Sequence, residues 1–197
     1  MSKSAAVFLD RDGTINIDTG YVCRPEDLHL IPGVAAAIGD LRRNGFEVIV
    51  VTNQSAIGRG FATEDQVRQT NGRMEQLLLA ADPDAQLNEI LYCPHNPEDG
   101  CGCRKPLTGM FEQLTAVRRG GLDLAGSYMV GDKWSDLEFG IRLGIEPGNC
   151  FLVLTGHGEE EAPQLAEKAG RLRPDRAAVP GIFPTLVEVV QKILANR

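Results

Sequence analysis

Short runs rich in β-branched and aromatic residues alternate along this chain with longer segments of helical period, and that alternation constrains the fold more than any other feature. Residues 5–9, 46–51, 88–92, 128–130 and 150–154 read as strands. Between the first two, residues 34–44 place Val34, Ile38 and Leu41 on one face and end at Gly45, as a helix does. Residues 64–80, opened by Thr63 as an N-cap, read as a second helix. Residues 110–119, closed by Gly120 and Gly121, and residues 135–143 continue the pattern, and the tail 183–196 is periodic and helical. Repeated strand–helix units of this kind predict an α/β protein with a mostly parallel sheet and helices on both faces.

Right-handed crossovers place the carboxyl ends of parallel strands on one edge, where ligands of open α/β sheets bind. The unusual residues collect there. Asp10-Arg11-Asp12-Gly13-Thr14 follows the first strand, and Thr52-Asn53-Gln54-Ser55 the second. Arg104-Lys105 lies beyond the third, and Gly131-Asp132-Lys133 follows the fourth. An aspartate ionised at neutral pH is a competent nucleophile toward phosphorus, and Asp10 suits that role. Asp12, two residues on, is placed to protonate a leaving alkoxide and then to deprotonate water. Attack on a phosphate dianion needs positive charge. Asp10 and Asp132 suit a Mg²⁺ ion, Lys105 suits a phosphoryl oxygen, and Thr52 and Asn53 suit neutral hydrogen bonds to it.

The segment CPHNPEDGCGCRKP (residues 93–106) crowds soft ligands against two cations. Cys93, His95, Cys101 and Cys103 follow C-x-H-x5-C-x-C, two close pairs that can reach the corners of a Zn²⁺ tetrahedron. A closed set of four ligands leaves no open position, so this zinc would be structural. It would fix the launch point of Arg104 and Lys105. The alternatives are a loop of reduced, unligated thiols or, in an oxidising compartment, a disulfide.

Composition bounds the rest. The 197 residues suit a single domain over 1–197, and the net charge of −7 argues against nucleic acid as a partner. The opening MSKSAAVFLDRDG is too short in apolar residues for a secretory signal, and no run approaches a bilayer span. A cytoplasmic monomer acting on a small molecule, without a membrane partner, is the expectation. Cys23, Cys150, His29 and His157 lack partners at ligand spacing and read as structural or surface residues, while Trp134 reads as pocket lining or helix-start packing.

D-R-D-G-T, T-N-Q, R-K-P and G-D-K-x-x-D, in this order and at these strand ends, resemble the haloacid dehalogenase-like (HAD) phosphohydrolases. The resemblance implies a Rossmann-like core with Asp10 as nucleophile and Asp12 as acid/base. It also implies Mg²⁺ on Asp10, the Asp12 carbonyl and Asp132, with Asp136 orienting the ligands. About 30 residues separate Thr14 from the second strand, too few for the cap domain that many members carry. A capless core with a zinc loop resembles the heptose bisphosphate and histidinol-phosphate phosphatase branch. D-R-D-G-T-I-N-x-D-x-G-Y-V, T-N-Q-S-x-I-x-R-G and C-R-K-P-x-x-G-M look like its heptose members, whose product feeds lipopolysaccharide precursor synthesis. That resemblance implies that Asp18, Thr19, Gly20, Tyr21, Thr52, Asn53, Gln54 and Ser55 line the sugar, that Arg104 recognises substrate and that Lys133 completes the phosphate pocket. Arg11, Arg59, Arg104, Lys105 and Lys133 flank the expected site; one phosphate needs only Mg²⁺, Lys105 and the Thr52 and Asn53 donors, and the remaining cations would suit a second anionic group on the same molecule. The five residues between His95 and Cys101 suit histidinol-phosphate phosphatases equally well. A silent phosphate-binding module is the reading from another class, and intact Asp10, Asp12, Lys105 and Asp132 argue against it.

Overall fold

The computed structural model describes residues 3–118, 121–172 and 178–196. Its elements run β1 (Ala6–Leu9), α1 (Val34–Arg43), β2 (Glu47–Asn53), α2 (Glu64–Ala81), β3 (Glu89–Cys93), α3 (Gly109–Val117), β4 (Tyr128–Gly131) and α4 (Trp134–Leu143). There follow β5 (Cys150–Val153), α5 (Gly158–Glu161), α6 (Leu165–Leu172), β6 (Gly181–Phe183) and α7 (Leu186–Ala195). Six parallel strands lie in the order β3-β2-β1-β4-β5-β6. The order reverses between β1 and β4, and that switch point is where a doubly wound sheet opens a crevice.

Alternating side chains explain why helices cover both faces. Val7, Leu9, Val48 and Val50 point into one buried cluster with Ile38 and Leu41 of α1, Met74 of α2 and Val189 of α7. Ala6, Phe8, Ile49 and Val51 point into the other, with Met110 of α3, Leu137 of α4 and Leu165 of α6. The register pairs Leu9, the last residue of β1, with both Val50 and Val130, so β4 runs one residue and β2 three residues past it on the same edge. Asp10 N–H then donates to Val130 O at 2.9 Å, carrying Asp10 just past the ladder.

The expected strands and helices are present with four differences. β2 runs on to Asn53, so Thr52 and Asn53 belong to the strand. The tail does not begin as a helix at residue 183: Phe183 closes β6, and Thr185 caps α7 by accepting from Val187 N–H while Glu188 accepts from Thr185 N–H. The short helices α5 and α6 were not anticipated. α3 stops at Val117, with Arg118 extended, and Arg119 and Gly120 of the expected helix end lie outside the described residues. Thr63 and Gln66 form the capping box that starts α2.

Between β1 and α1 the regular structure is a single 3-10 turn, Pro25–Asp27, with isolated bridges at Asn16, so among the described residues no separate cap lies over the crevice. No helix among the described residues is long and apolar enough to cross a membrane.

Candidate active site

A cavity of about 520 Å³ lies at the switch point, lined among others by Asp10, Asp12, Asp18, Thr52, Arg104, Lys105, Lys133 and Asp136. Lys105 is its electrostatic centre. The side chain is 1% exposed and donates to Asp10 Oδ1 at 2.7 Å and to Val51 O at 2.6 Å, and its Nζ stands 2.7 Å from Asp136 Oδ1. Burial works against its charge, but the two carboxylates hold it above the usual lysine range. Asn53 fixes the backbone beneath: its Oδ1 accepts from Lys105 N–H at 3.0 Å and its Nδ2 donates to Lys105 O at 3.3 Å. Asn53 was expected to donate to phosphate. It lines the cavity, and one of its two amide protons is spent on placing the lysine. Thr52 Oγ1 accepts from Gln54 Nε2 at 2.9 Å, which leaves its own proton to donate.

Three buried carboxylates, Asp10, Asp132 and Asp136, bring ligand oxygens within 4.8 Å of one another. Burial pushes Asp10 up from 3.8 to about 6, Lys105 opposing, and pushes Asp132 up from 3.8 to about 8, with Asp10 and Asp136 adding to it. One Asp132 oxygen accepts from His157 N–H at 2.8 Å; the other, Oδ1, is buried without a hydrogen-bond partner. An orphaned carboxylate oxygen among crowded acids is what a hard, oxygen-seeking dication resolves. Gly13, at φ 83°, makes the approach possible, because a Cβ there would stand 2.5 Å from Asp132 Oδ2. Gly131 does the same for Asp136, whose Cβ and carboxylate would collide with any side chain at that position. Gly131→Ala is therefore expected to displace Asp136 from Lys105 and to cost about 1–3 kcal/mol, measured by denaturant unfolding, with a parallel fall in phosphatase activity.

The raised acids set a pH signature. In the native state they hold protons that the unfolded chain has already released above about 4, so ΔG of unfolding falls as pH rises. Metal-free protein should lose stability progressively between pH 4 and the native value near 8. Mg²⁺ should restore it, with the restoring effect growing over the same range. A melting temperature in chelator that is flat or rises from pH 5 to 8 would contradict this.

Asp12 is gripped from three sides. Arg11 donates through Nε and Nη2 to both of its oxygens at 2.9–3.2 Å, Asn16 Nδ2 to Oδ1 at 2.9 Å, and Gln54 Nε2 to Oδ2 at 2.8 Å. Arg11 itself is fully buried and also donates to Asn71 Oδ1, Val22 O and Gln54 Oε1. Arg11 is thus not one of the cations open to a second anion. Arg59 is exposed and absent from the lining, which leaves Arg104 and Lys133. Gly20, Tyr21, Gln54 and Ser55 line the cavity and Thr19 does not. Gln54 is 4% exposed and spends its amide on Asp12, Thr52 and Arg11 rather than facing the opening.

His157, expected as a structural or surface residue, lines the cavity with Nε2 3.5 Å from Asp18 Oδ2, and Lys133 Nζ stands 3.7 Å from the same oxygen. The signal that would have found it is its position just past β5, on the same edge as the other clusters. Trp134 opens α4 and packs against the second core cluster, away from the lining.

The cysteine loop closes as expected. Cys93 and Cys103 Sγ are 3.1 Å apart, Cys101 is 3.6 Å from each, and His95 Nδ1 lies 3.6 Å from Cys93 and 3.2 Å from Cys103. Zinc–sulfur bonds of about 2.3 Å give tetrahedron edges of about 3.8 Å, so the four atoms nearly enclose an ion of that size. The loop is tied to the sheet edge by Gln54 N–H on Cys93 O at 2.8 Å and Gly58 N–H on Pro94 O at 2.9 Å. Arg104 Nη1 donates to His95 O at 3.2 Å, so the cation entering the cavity hangs directly from the cluster.

An aspartate after β1, a hydroxyl at the end of β2, a buried lysine and an aspartate after β4 are the arrangement of a phosphohydrolase of the aspartate-dependent kind. A HAD-hydrolase-like family model matches residues 102–179, and a polynucleotide kinase 3 phosphatase model matches residues 7–137. D-glycero-beta-D-manno-heptose-1,7-bisphosphate 7-phosphatase of Escherichia coli O6:H1 is 44% identical over 164 residues, covering 79% of this chain and 83% of that protein. The protein of the same name from Haemophilus ducreyi is 44% identical over 168 residues, covering 80% and 90%. Among solved structures, D,D-heptose 1,7-bisphosphate phosphatase from B. bronchiseptica, complexed with magnesium and phosphate, superposes with a TM-score of 0.81 at 30% identity, covering 98% of this chain and 99% of that one. The chain belongs to the HAD-like phosphatases, in the family of the heptose-1,7-bisphosphate 7-phosphatases.

Proposed function

We propose that this protein removes the 7-phosphate of D-glycero-D-manno-heptose 1,7-bisphosphate, in the supply of heptose for lipopolysaccharide, through an aspartyl-phosphate on Asp10. The observation that carries the chemistry is the unpartnered oxygen of Asp132 beside the Asp10–Lys105–Asp136 cluster. Asp10, the Asp12 carbonyl and Asp132 would hold Mg²⁺, which when bound offsets the charge of the phosphate dianion and keeps both carboxylates ionised. Asp10 attacks phosphorus as the bond to the sugar oxygen breaks. Asp12, aimed by Arg11, Asn16 and Gln54, gives that oxygen its proton and later takes one from the water that releases phosphate. Lys105 and the Thr52 hydroxyl bind phosphoryl oxygens, and Asp136 and Asn53 hold Lys105 in place. Zn²⁺ on Cys93, His95, Cys101 and Cys103 fixes the loop that delivers Arg104 and Lys105. The chain works as a single-domain cytoplasmic monomer on a small sugar phosphate.

For the substrate, the support is the family together with two cavity cations, Arg104 and Lys133, beyond those one phosphate needs. They suit the second phosphate of a bisphosphate. Arg104→Ala should raise KM for the bisphosphate about tenfold, the loss of one charge-assisted contact, and raise it much less for a sugar monophosphate. Equal effects on both substrates would return Arg104 to a solvated surface role.

A further inference from the structure

Among the described residues two aromatic side chains are left largely exposed, and they face one another. Tyr21 is 52% and Phe61 64% exposed, with ring centroids 5.1 Å apart at 60°. Tyr21 lines the cavity; Phe61 does not. They come from different loops, Tyr21 from between β1 and α1 and Phe61 from between β2 and α2.

Those loops are packed as one piece. Cys23 of the first, Ala56 and Ala62 of the second and Val67 of α2 form a buried cluster distinct from the two on the sheet faces. Phe61 N–H and Ala62 N–H both donate to Ala56 O, at 2.8 and 3.2 Å, which curls the second loop tightly. Gly20, at φ 105°, and the Asp18 Oδ1 that accepts from its N–H at 2.8 Å set the turn presenting Tyr21. The edge-to-face contact sets the negative ring face of one side chain against the positive edge of the other, which favours this relative orientation.

The floor of the cavity is charged and would take any phosphate monoester. Discrimination among the carbon skeletons attached needs contacts beyond that floor, and Tyr21 supplies apolar surface beside the charged groups. We propose that Phe61, outside every motif of the family resemblance, is the positioning residue that holds the sugar-lining Tyr21 against the carbon skeleton of the departing sugar, the two loops forming one specificity wall. This rests on the sugar-phosphate reading above.

The test compares kcat/KM for heptose 1,7-bisphosphate with that for acetyl phosphate, which has no sugar. Phe61→Ala should lower the ratio about tenfold, through KM for the bisphosphate rather than kcat. Phe61→Tyr should restore it to within about twofold. If Phe61→Ala does not fold, Tyr21→Ala should lower the same ratio and Tyr21→Phe should keep it. A folded Phe61→Ala or Tyr21→Ala enzyme with the wild-type ratio overturns the wall. Wild-type protein that turns over acetyl phosphate but not the bisphosphate overturns the substrate reading instead. The ratio is then taken with the phosphate ester it hydrolyses fastest, and the wall stands or falls on that value.

Discussion

Asp10→Asn should abolish turnover, by a factor on the order of 10⁴ or more, while leaving the fold intact. The amide is a poor nucleophile and forms no acyl phosphate of comparable reactivity. The fold should survive because Asn keeps the shape and the oxygen that accepts from Lys105 at 2.7 Å, and because it removes a buried charge whose own titration is pushed up to about 6. Melting temperature should therefore change little. Asp12→Asn should behave differently, since its partners hold it for proton transfer: phosphoenzyme should accumulate on Asp10, detectable by intact-mass measurement after acid quench. Substantial activity in Asp10→Asn, once deamidation and contaminating phosphatases are excluded, would remove the nucleophile from the account.

Cys103→Ser should have the second largest effect, and it reads on stability as well as rate. Cys103 is buried, touches Cys93, Cys101 and His95, and is followed immediately by Arg104 and Lys105. Loss of one ligand opens the metal set, and structural zinc contributes folding energy directly. A cost of about 3–5 kcal/mol is expected, which for a chain of this size lowers the melting temperature by roughly 10 °C. Activity should fall about 10- to 100-fold because Lys105 is no longer held to Asp10 and Asp136. Metal analysis should return about one zinc per chain in the wild type and less in the variant. A protein free of zinc yet fully stable and active would separate the loop from the site.

Much of this site was legible because each functional cluster directly follows a strand. Parallel strands whose carboxyl ends share one edge turn separations of tens of residues into contact, and no partner need be known to see that Asp10, Thr52 and Asp132 meet. The ligand spacing around Cys93 was readable for a similar reason: short separations leave little geometric freedom. What the sequence concealed was direction. Arg11, Asn53 and Gln54 are polar residues within the motifs, and residue type does not say whether a side chain faces the ligand or holds its neighbour. In each the hydrogen bonds run inward, to Asp12, to the Lys105 backbone and to both Asp12 and Arg11. β6 was invisible because three residues on a sheet edge carry too little periodicity, and Phe183 was absorbed into the helical pattern behind it. His157 was lost because it stands without neighbours in sequence and finds Asp18 and Asp132 only through the parallel pairing of β4 and β5.

The central claim, a metal-dependent removal of one phosphate from a sugar bisphosphate, is tested most directly by following D-glycero-D-manno-heptose 1,7-bisphosphate with the purified protein and Mg²⁺ by phosphorus NMR. The account predicts that the 7-phosphate signal gives way to inorganic phosphate while the 1-phosphate signal persists, and that chelator stops the conversion. Loss of the 1-phosphate first, or an inert bisphosphate beside rapid hydrolysis of histidinol phosphate, would contradict it.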